Sequence, residues 1–199
     1  MCNPITYTGT RAAVRRRRTL GAGGIAVVAM LLAGCVEIPS ESPYPPLYTL
    51  LDSNEPIVRL YLAPVLGADE IATHPWFAMK RAGADHFDRW EVISDDLASA
   101  YELRVFADGI YGYVINNLIG PDEYPGGRAW VAAEIVGPEA DAIIDFIETQ
   151  SPHYPCRHRY EYFPGPNSNT YARWVLDQTG WNVTLPPSAI GQDFVPDCP

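Results

Sequence analysis

Two residues that can act together in acyl chemistry stand far apart in the chain, His74 in the segment HPWFAMK and Ser168 in the segment FPGPNSNT. In FPGPNSNT (163–170), two prolines, a glycine and two asparagines impose an unusual backbone directly before a predicted helix. The free N–H groups and the dipole at a helix start stabilise an anion or a developing oxyanion. Ser168 is therefore a candidate nucleophile, Asn167 and Asn169 are candidate ligand-binding residues beside it, and His74 is of a residue type that can serve as a base.

Each of these residues also has a purely structural interpretation. Asn167 or Ser168 can simply cap the helix, a role that stabilises a helix by about 0.5–2 kcal/mol and explains the residue choice by itself. His74 can be a packed, hydrogen-bonded side chain on a strand beside Trp76 rather than a base. Trp76 is a candidate ligand-binding aromatic, and the same residue type also suits a core.

Three segments of the chain, HPWFAMK (74–80), PGPNSNT (164–170) and LPPSAIGQDF (185–194), resemble the bacterial family of unknown function DUF3750. The resemblance covers most of residues 57–194. Tyr171 stands where phenylalanine is expected in most relatives, a change that keeps an aromatic anchor. The family implies no established activity, so that the chemistry has to be argued from the residues.

Hydrophobic patterning predicts the elements that position these residues. Strands are expected at 57–62, 73–80, 90–93, 101–106, 130–136 and 157–163, a surface loop that covers a site at 108–127, and helices starting at Pro138 and at 167–170, the second ending at Gly180. Pro75 predicts an edge position or a bulge for the second strand, because proline cannot donate to a ladder. The expected fold class is α+β, with a small mixed or antiparallel sheet and two main helices in the C-terminal half.

The order of these elements is similar to that of circularly permuted papain-like enzymes, such as NlpC-type peptidases and the lecithin retinol acyltransferase group. This resemblance implies a strand histidine as the base and a nucleophile that opens the last helix, which correspond here to His74 and to Ser168 after Asn167. The third polar member would be His86 or Glu91. Those enzymes carry cysteine as the nucleophile, and the far higher pKa of serine demands a well-placed base.

The first 35 residues have the layout of a bacterial lipoprotein signal. They hold no acidic residue and five arginines, followed by the apolar stretch 20–33, which is shorter than the roughly 20 residues that span a bilayer. The stretch ends in LLAGC, which resembles a lipobox and predicts a signal peptide at 1–34 and a lipid on Cys35. An uncleaved N-terminal anchor is the alternative. We expect an envelope protein held on the periplasmic or extracytoplasmic side of a membrane.

The rest of the chain is expected to form a Pro-rich tether at 35–56 and a single globular domain at 57–199. After Cys35 there are 24 acidic residues and 14 − 5 = 9 basic ones, which gives a net charge of 9 − 24 = −15. Such a surface repels phosphate backbones, so nucleic acid is not an expected partner. The expected partners are the membrane, through the lipid, and a cell-wall or lipid ligand.

Two cysteines, Cys156 and Cys198, remain outside the signal and the lipobox, and in an oxidising compartment they are predicted to form a disulfide. A metal site is the alternative, formed by His153, Cys156, His158 and Glu161, although this spacing matches no common zinc pattern. The sequence has no Walker loop, Rossmann glycine pattern, HExxH or GxSxG motif, and no cofactor or metal is predicted.

Two functions remain open at this stage. The first is a hydrolase or an acyl or amide transferase that acts on a cell-wall or lipid substrate through Ser168 and His74. The second is a non-catalytic ligand-binding or scaffolding lipoprotein that keeps a degenerate papain-like cleft. The distance between the His74 ring and the Ser168 hydroxyl distinguishes a catalytic-type site from an ordinary turn and cap.

Overall fold

The computed structural model describes residues 36–65, 71–94, 110–114, 120–125, 127–157, 159–196 and 198. In this part of the chain the strands are β1 (Ile57–Pro64), β2 (Thr73–Lys80), β3 (Asp88–Val92), β4 (Ile110–Val114) and β5 (Trp130–Val136). The helices are α1 (Pro138–Gln150) and α2 (Ser168–Thr179). The strands form one sheet in the order β4-β3-β2-β1-β5 with every neighbouring pair antiparallel. The α+β class is therefore confirmed, and the sheet is the antiparallel one of the two predicted kinds.

Strand β1 is buried along its whole length because both faces of the sheet are covered. On one face, Leu60 and Phe77 belong to a core that includes residues of α1 and α2. On the other face, Tyr61 and Trp76 belong to a second cluster with Leu47. A central strand buried on both faces reads in sequence as a continuous apolar run, which is the pattern that predicted β1.

Strand β2 alternates as predicted. Phe77 and Met79 face the helices, whereas Trp76 and Ala78 face the second cluster. Side chains on a strand repeat every two residues, so that His74 lies on the same face as Trp76, and the two rings are stacked with centroids 6.1 Å apart. His74 is therefore not part of the core that packs against the two helices.

The prediction that Pro75 marks an edge strand is wrong, because β2 lies between β1 and β3. Pro75 pairs with Leu62 of β1, whereas the pairing of β2 with β3 covers residues 77–79. Pro75 thus lies beyond the paired stretch of β3, where a missing N–H group breaks no bond between those two strands.

Two further predictions need correction, and one lies outside the described residues. The segment predicted as a strand at 157–163 is irregular where it is described, because its backbone bonds are local: Arg159 N donates to Cys156 O and Glu161 N to Pro166 O. The region 108–127, predicted as a loop, contains strand β4. The strand predicted at 101–106 falls on residues that the structure does not describe.

Both helices begin at the predicted residues, and the second also ends where predicted. Helix α1 starts at Pro138 with Glu139 and Asp141 in its first turn, where carboxylates complement the helix dipole. Its buried residues are Ala140, Ile143, Ile144 and Ile147, which share one face of the helix. Helix α2 ends at Gly180, whose left-handed conformation has a φ of 69°.

Part of the predicted tether is docked on the domain. Residues Leu47–Leu50 form a short 3₁₀ helix, and Leu47 is buried in the second cluster. The guanidinium of the buried Arg59 donates to Pro45 O at 2.8 Å and lies 5.9 Å from the ring centroid of Tyr44. The chain therefore joins the folded body about a dozen residues before β1.

Cys156 and Cys198 form a disulfide with their Cα atoms 5.0 Å apart and a sequence separation of 42. This confirms the predicted pairing. It also excludes Cys156 as a thiolate ligand in the alternative metal site. The bond attaches the C-terminal segment to the turn that follows α1.

We expect the double substitution Cys156→Ser/Cys198→Ser to lower the free energy of unfolding by about 3–4 kcal/mol, because closing a loop of this length restricts the unfolded chain. Urea unfolding at pH 7 measures the effect, and wild-type protein kept in a reductant is the matched control that should lose the same amount. A loss below about 1 kcal/mol in both samples would contradict the prediction.

Candidate active site

The end of β2 and the start of α2 bring His74 and Ser168 into contact. His74 Nδ1 and Ser168 Oγ are 3.1 Å apart, although 94 residues separate them in sequence. Both side chains are buried, with residue exposures of 6% and 4%. The two residues therefore form a direct hydrogen bond between the end of the strand and the start of the helix.

The capping function at the start of α2 belongs to Asn167. Its Oδ1 accepts hydrogen bonds from Asn169 N at 3.0 Å and from Thr170 N at 3.3 Å. Thr170 Oγ1 accepts in turn from Asn167 N at 3.2 Å, which completes a capping box. Since Asn167 is the cap, the hydroxyl of Ser168 is left to interact with His74.

Glu91 is the third member of the site. Its Oε2 lies 2.6 Å from His74 Nε2. The Glu91 carboxylate accepts a hydrogen bond from Nε2–H, which leaves the lone pair on Nδ1 free to accept the hydrogen bond of the Ser168 hydroxyl. His74 is thus held in the tautomer that a general base for Ser168 requires.

His86, the other predicted candidate for the third member, does not contact this pair. Its side chain is 39% exposed, with Nδ1 2.8 Å from Asp85 Oδ1 and Nε2 3.9 Å from Asp88 Oδ1. Its place in the loop before β3 gives it carboxylate neighbours of its own. Glu91 lies within β3 and points to the face that carries His74, which explains why the structure selects it.

Arg89 holds Glu91 from the side opposite His74. Its Nε donates to Glu91 Oε1 at 2.7 Å and its Nη2 to Oε2 at 3.0 Å, a two-pronged contact between buried groups. The guanidinium carbon lies 4.2 Å from the ring centroid of Trp76, and Nη1 donates to Glu123 O at 2.7 Å. Arg89 is a positioning residue that the sequence analysis missed. The sequence feature that could have identified Arg89 is its position two residues before Glu91, which places both side chains on the same face of a strand.

Burial would raise the pKa of Glu91, but the Arg89 charge and the hydrogen bond to His74 overcome this effect and hold the pKa at about 2. The carboxylate is therefore ionised at any pH at which the protein works. A buried ionised group with hydrogen bonds on both oxygens has a fixed position. It can orient the His74 ring and stabilise a positive charge on it.

The lowered pKa of Glu91 predicts a loss of stability in acid. The free carboxyl has an ordinary value of 4.5 and the folded one about 2, so the contribution is fully present above pH 4.5 and is lost as the pH falls from there towards 2. Its size is about 3 kcal/mol. Urea unfolding between pH 7 and pH 2.5 should show this component in the wild type and not in Glu91→Gln. Parallel pH curves for the two proteins would contradict the assignment.

Trp76, predicted as a ligand-binding residue, is instead fully buried in the wall of the site. Its ring is stacked between those of Tyr61, with a centroid distance of 5.3 Å, and Tyr124, at 5.6 Å. Its Nε1 donates to Pro121 O at 2.6 Å. The Tyr124 ring also stacks on His74, at 5.7 Å. Residues 120–124 therefore cover this side of the site, as predicted for the loop region.

The side-chain amides of Asn167 and Asn169, predicted to bind a ligand, are used within the protein. Asn167 Nδ2 donates to Tyr162 O at 3.2 Å and to Ile190 O at 3.0 Å. Asn169 Nδ2 donates to Thr73 O at 2.9 Å and also to Ile190 O at 3.0 Å. These bonds make the two asparagines parts of the framework that carries Ser168.

Tyr160 is a second site residue that the sequence analysis missed. Burial raises the pKa of Tyr160 to about 12, against a smaller lowering by hydrogen bonds from the Ser168 side chain and backbone. The Tyr160 phenol is therefore a neutral group that interacts with Ser168. It stays protonated at neutral pH and can donate. Because Tyr160 lies in a segment patterned like a strand, no sequence signal separated it from the neighbouring tyrosine.

A groove of about 610 Å³ lies between α2 and the C-terminal segment. Thr170, Trp174 and Phe194 contribute to its lining, whereas Ser168 and His74 do not. Within the described ranges, no three His, Cys, Asp or Glu side chains are grouped so that they could hold a metal ion. The same ranges hold no helix that is both long and apolar enough to cross a membrane. Cys35 and the predicted signal lie outside them.

Residues 55–194 match the family DUF3750, which is described as a protein of unknown function. The chain belongs to the DUF3750 family. The matched range includes His74, Arg89, Glu91, Tyr160 and Ser168, so the whole site lies within the family domain. No curated protein and no solved structure matches the chain.

Proposed function

We propose that this DUF3750 domain is a hydrolase or an acyl or amide transferase that acts through Ser168 on a cell-wall or lipid substrate. The observation that carries the proposal is the continuous chain of hydrogen bonds from Ser168 Oγ to His74 Nδ1 and from His74 Nε2 to Glu91. A nucleophile, a base within hydrogen-bonding distance and a third group that orients the base are the parts that covalent acyl chemistry requires.

In the proposed first step, Ser168 Oγ attacks the acyl carbon while its proton passes to His74 Nδ1. Glu91 stabilises the resulting imidazolium through the Nε2–H hydrogen bond, and Arg89 keeps Glu91 in place. The oxyanion forms at the start of α2, near the Ser168 N–H group and the Tyr160 hydroxyl. His74 then protonates the leaving amine or alcohol, which leaves an acyl group on Ser168.

In the second step, water or an acceptor amine or alcohol attacks the acyl-enzyme and gives its proton to His74. Release of the acyl group restores the Ser168 hydroxyl, so that atoms and charge balance over the cycle. Water as the acceptor makes the protein a hydrolase, and an amine or alcohol makes it a transferase. The position of the strand histidine and of the helix-opening nucleophile supports our proposal of a permuted papain-like relationship.

We also propose that the protein works in the cell envelope, attached by a lipid on Cys35. This part rests on the basic and apolar layout of residues 1–34 and on the LLAGC segment. Two or three acyl chains give a durable anchor, whereas one chain gives marginal binding. An acyl-transferring enzyme that is attached to a membrane would meet lipid or cell-wall substrates more readily than substrates in solution.

The burial of the pair supports a second candidate, a non-catalytic binding lipoprotein with a degenerate site. Ser168 is only 4% exposed, so a substrate can reach the hydroxyl only if the residues around it move. A serine in place of the cysteine of papain-like enzymes points in the same direction, because its hydroxyl is harder to ionise.

A serine-directed phosphonofluoridate probe distinguishes the two candidates. The chain from residue 36 onward is incubated with the probe, and the adduct is located by peptide mass spectrometry. An activated Ser168 is expected to give one adduct, on the peptide that contains it. The Ser151→Ala variant, which removes another buried hydroxyl outside the site, should label as the wild type does. An unlabelled wild-type protein, or an adduct on another residue, would support the binding candidate.

A further inference from the structure

A short segment near the C-terminus, Ser188–Gly191, contacts both elements of the site through its backbone. Ser188 O accepts from Thr73 N at 2.9 Å, directly before His74. Gly191 O accepts a hydrogen bond at 2.7 Å from Thr170 Oγ1, and Thr170 lies two residues after Ser168. The carbonyl between them, that of Ile190, accepts from both asparagines that flank Ser168. The segment is thus bonded to the residues around the base and to those around the nucleophile.

Asn169 joins the two elements directly. One donation of its Nδ2 goes to Thr73 O on β2 and the other to Ile190 O on the segment. An amide NH₂ group has two hydrogens, so these bonds use its full donating capacity. Since Asn169 itself lies on the first turn of α2, a single buried side chain ties the strand of His74 to the helix of Ser168.

Gly191 is required where the segment passes Asn167. Its φ of 95° lies in the region that favours glycine, and a Cβ built there would meet Asn167 Nδ2 at 2.4 Å and Oδ1 at 2.7 Å. The Asn167 amide cannot move aside freely, because its Oδ1 caps α2 and its Nδ2 bonds two carbonyls. A side chain at position 191 must therefore disturb the start of α2.

The segment has its own local support. Ala189 N donates to Pro186 O at 2.9 Å and Phe194 N to Gly191 O at 3.1 Å, so its turns are closed by backbone bonds. Gln192 Nε2 also donates to Pro186 O, at 2.9 Å. Beyond it, the chain is attached through the disulfide of Cys198. A segment restrained on both sides can transmit a fixed geometry to the elements it touches.

We propose that residues 188–191 act as a positioning clasp for the His74–Ser168 pair, with Asn169 as its principal positioning residue. This inference rests on the proposed function, because only a reacting pair needs so exact a separation. Displacing reacting groups by about 1 Å can cost about a hundredfold in rate. The clasp gives the second sequence motif, LPPSAIGQDF, a role at the site that the chemical steps alone did not assign to it.

The test compares two glycine substitutions. Gly191→Ala places a Cβ against Asn167, whereas Gly83→Ala, the matched control, has a similar positive φ of 69° and nothing within 4 Å of the added Cβ. Both variants carry backbone strain, but only the first disturbs the clasp. We expect Gly191→Ala to react with the phosphonofluoridate probe at least about a hundredfold more slowly and Gly83→Ala at the wild-type rate.

Asn169→Ala provides a second variant if Gly191→Ala fails to fold. It removes both bridging bonds without adding atoms, and a similar loss of labelling rate is expected. Labelling at the wild-type rate in the folded clasp variants, or an equal loss in Gly83→Ala, would overturn the proposal.

The geometry of the pair is measured separately by NMR of the His74 ring. We expect its ring proton and nitrogen shifts to change in Gly191→Ala and Asn169→Ala and to stay the same in Gly83→Ala. Unchanged shifts in both clasp variants would overturn the clasp. A wild-type protein that never labels, but whose His74 shifts move only in the clasp variants, would refute the proposed chemistry and leave the clasp supported.

Discussion

The Ser168→Ala variant is expected to lose reaction with the phosphonofluoridate probe by at least about a thousandfold, because it removes the only nucleophilic atom bonded to His74 Nδ1 in the described part of the chain. His74→Ala should cause a loss of similar size, since the hydroxyl then has no base. The two losses should not add in the double variant, because the residues act as a unit. Second-order labelling rates at pH 7.5 measure all three.

The Ser168→Cys variant tests the same activation by His74, but through a gain of reactivity instead of a loss. In a chain that starts at residue 36, the other cysteines form the Cys156–Cys198 disulfide, so the new thiol would be the single free one. A thiol beside His74 should ionise well below its ordinary pKa and react with iodoacetamide at pH 6. Ser151→Cys, a buried thiol outside the site, is the control and should be inert. Equal reactivity of the two thiols would mean that His74 does not activate position 168.

Arg89→Met is expected to give the second large effect, a loss of about 3–5 kcal/mol in the free energy of unfolding. The substitution leaves the buried Glu91 carboxylate without its two-pronged partner, and breaking one side of a buried ion pair is strongly destabilising. Urea unfolding at pH 7 measures the loss. The same variant should raise the pKa of Glu91, which removes the fixed negative charge next to His74.

The matched control is the double variant Arg89→Met/Glu91→Leu. Replacing both partners of a buried pair by apolar side chains is often neutral or stabilising, so the double variant should regain much of the lost stability. It should still label slowly, because His74 has lost its orienting carboxylate. A double variant less stable than Arg89→Met alone would show that the pair is needed for packing as well as for charge balance.

The parts of the fold that followed from sequence are those set by local periodicity. The alternation in THPWFAMK fixed the extent of β2 and its two faces, and Pro138 and Asn167 marked the helix starts. These signals depend on neighbouring residues only. The meeting of His74 with Ser168 was predicted from the order of elements, and the contact is present.

The parts that sequence could not supply depend on long-range contacts. The segment 157–163 alternates like a strand, yet its backbone bonds go to nearby carbonyls in a turn beside the disulfide. Arg89 and Tyr160 are ordinary residue types in unremarkable contexts, and their roles arise only where β3 and the turn before α2 meet Ser168 and Glu91. His86 was as good a candidate as Glu91 until the strand register separated them.

If the proposed lipid on Cys35 anchors the chain, the docking of residues 44–51 on the sheet would limit how far the domain can move from the membrane. Only residues 36–43 lie between Cys35 and Tyr44, and eight residues extend at most about 25–30 Å. With the lipid proposed on Cys35, the active site would explore a thin layer above the bilayer rather than a volume. Its encounter rate would then depend on how many substrate molecules each unit of membrane area carries, and a longer linker inserted before Tyr44 would dilute the enzyme without altering its chemistry.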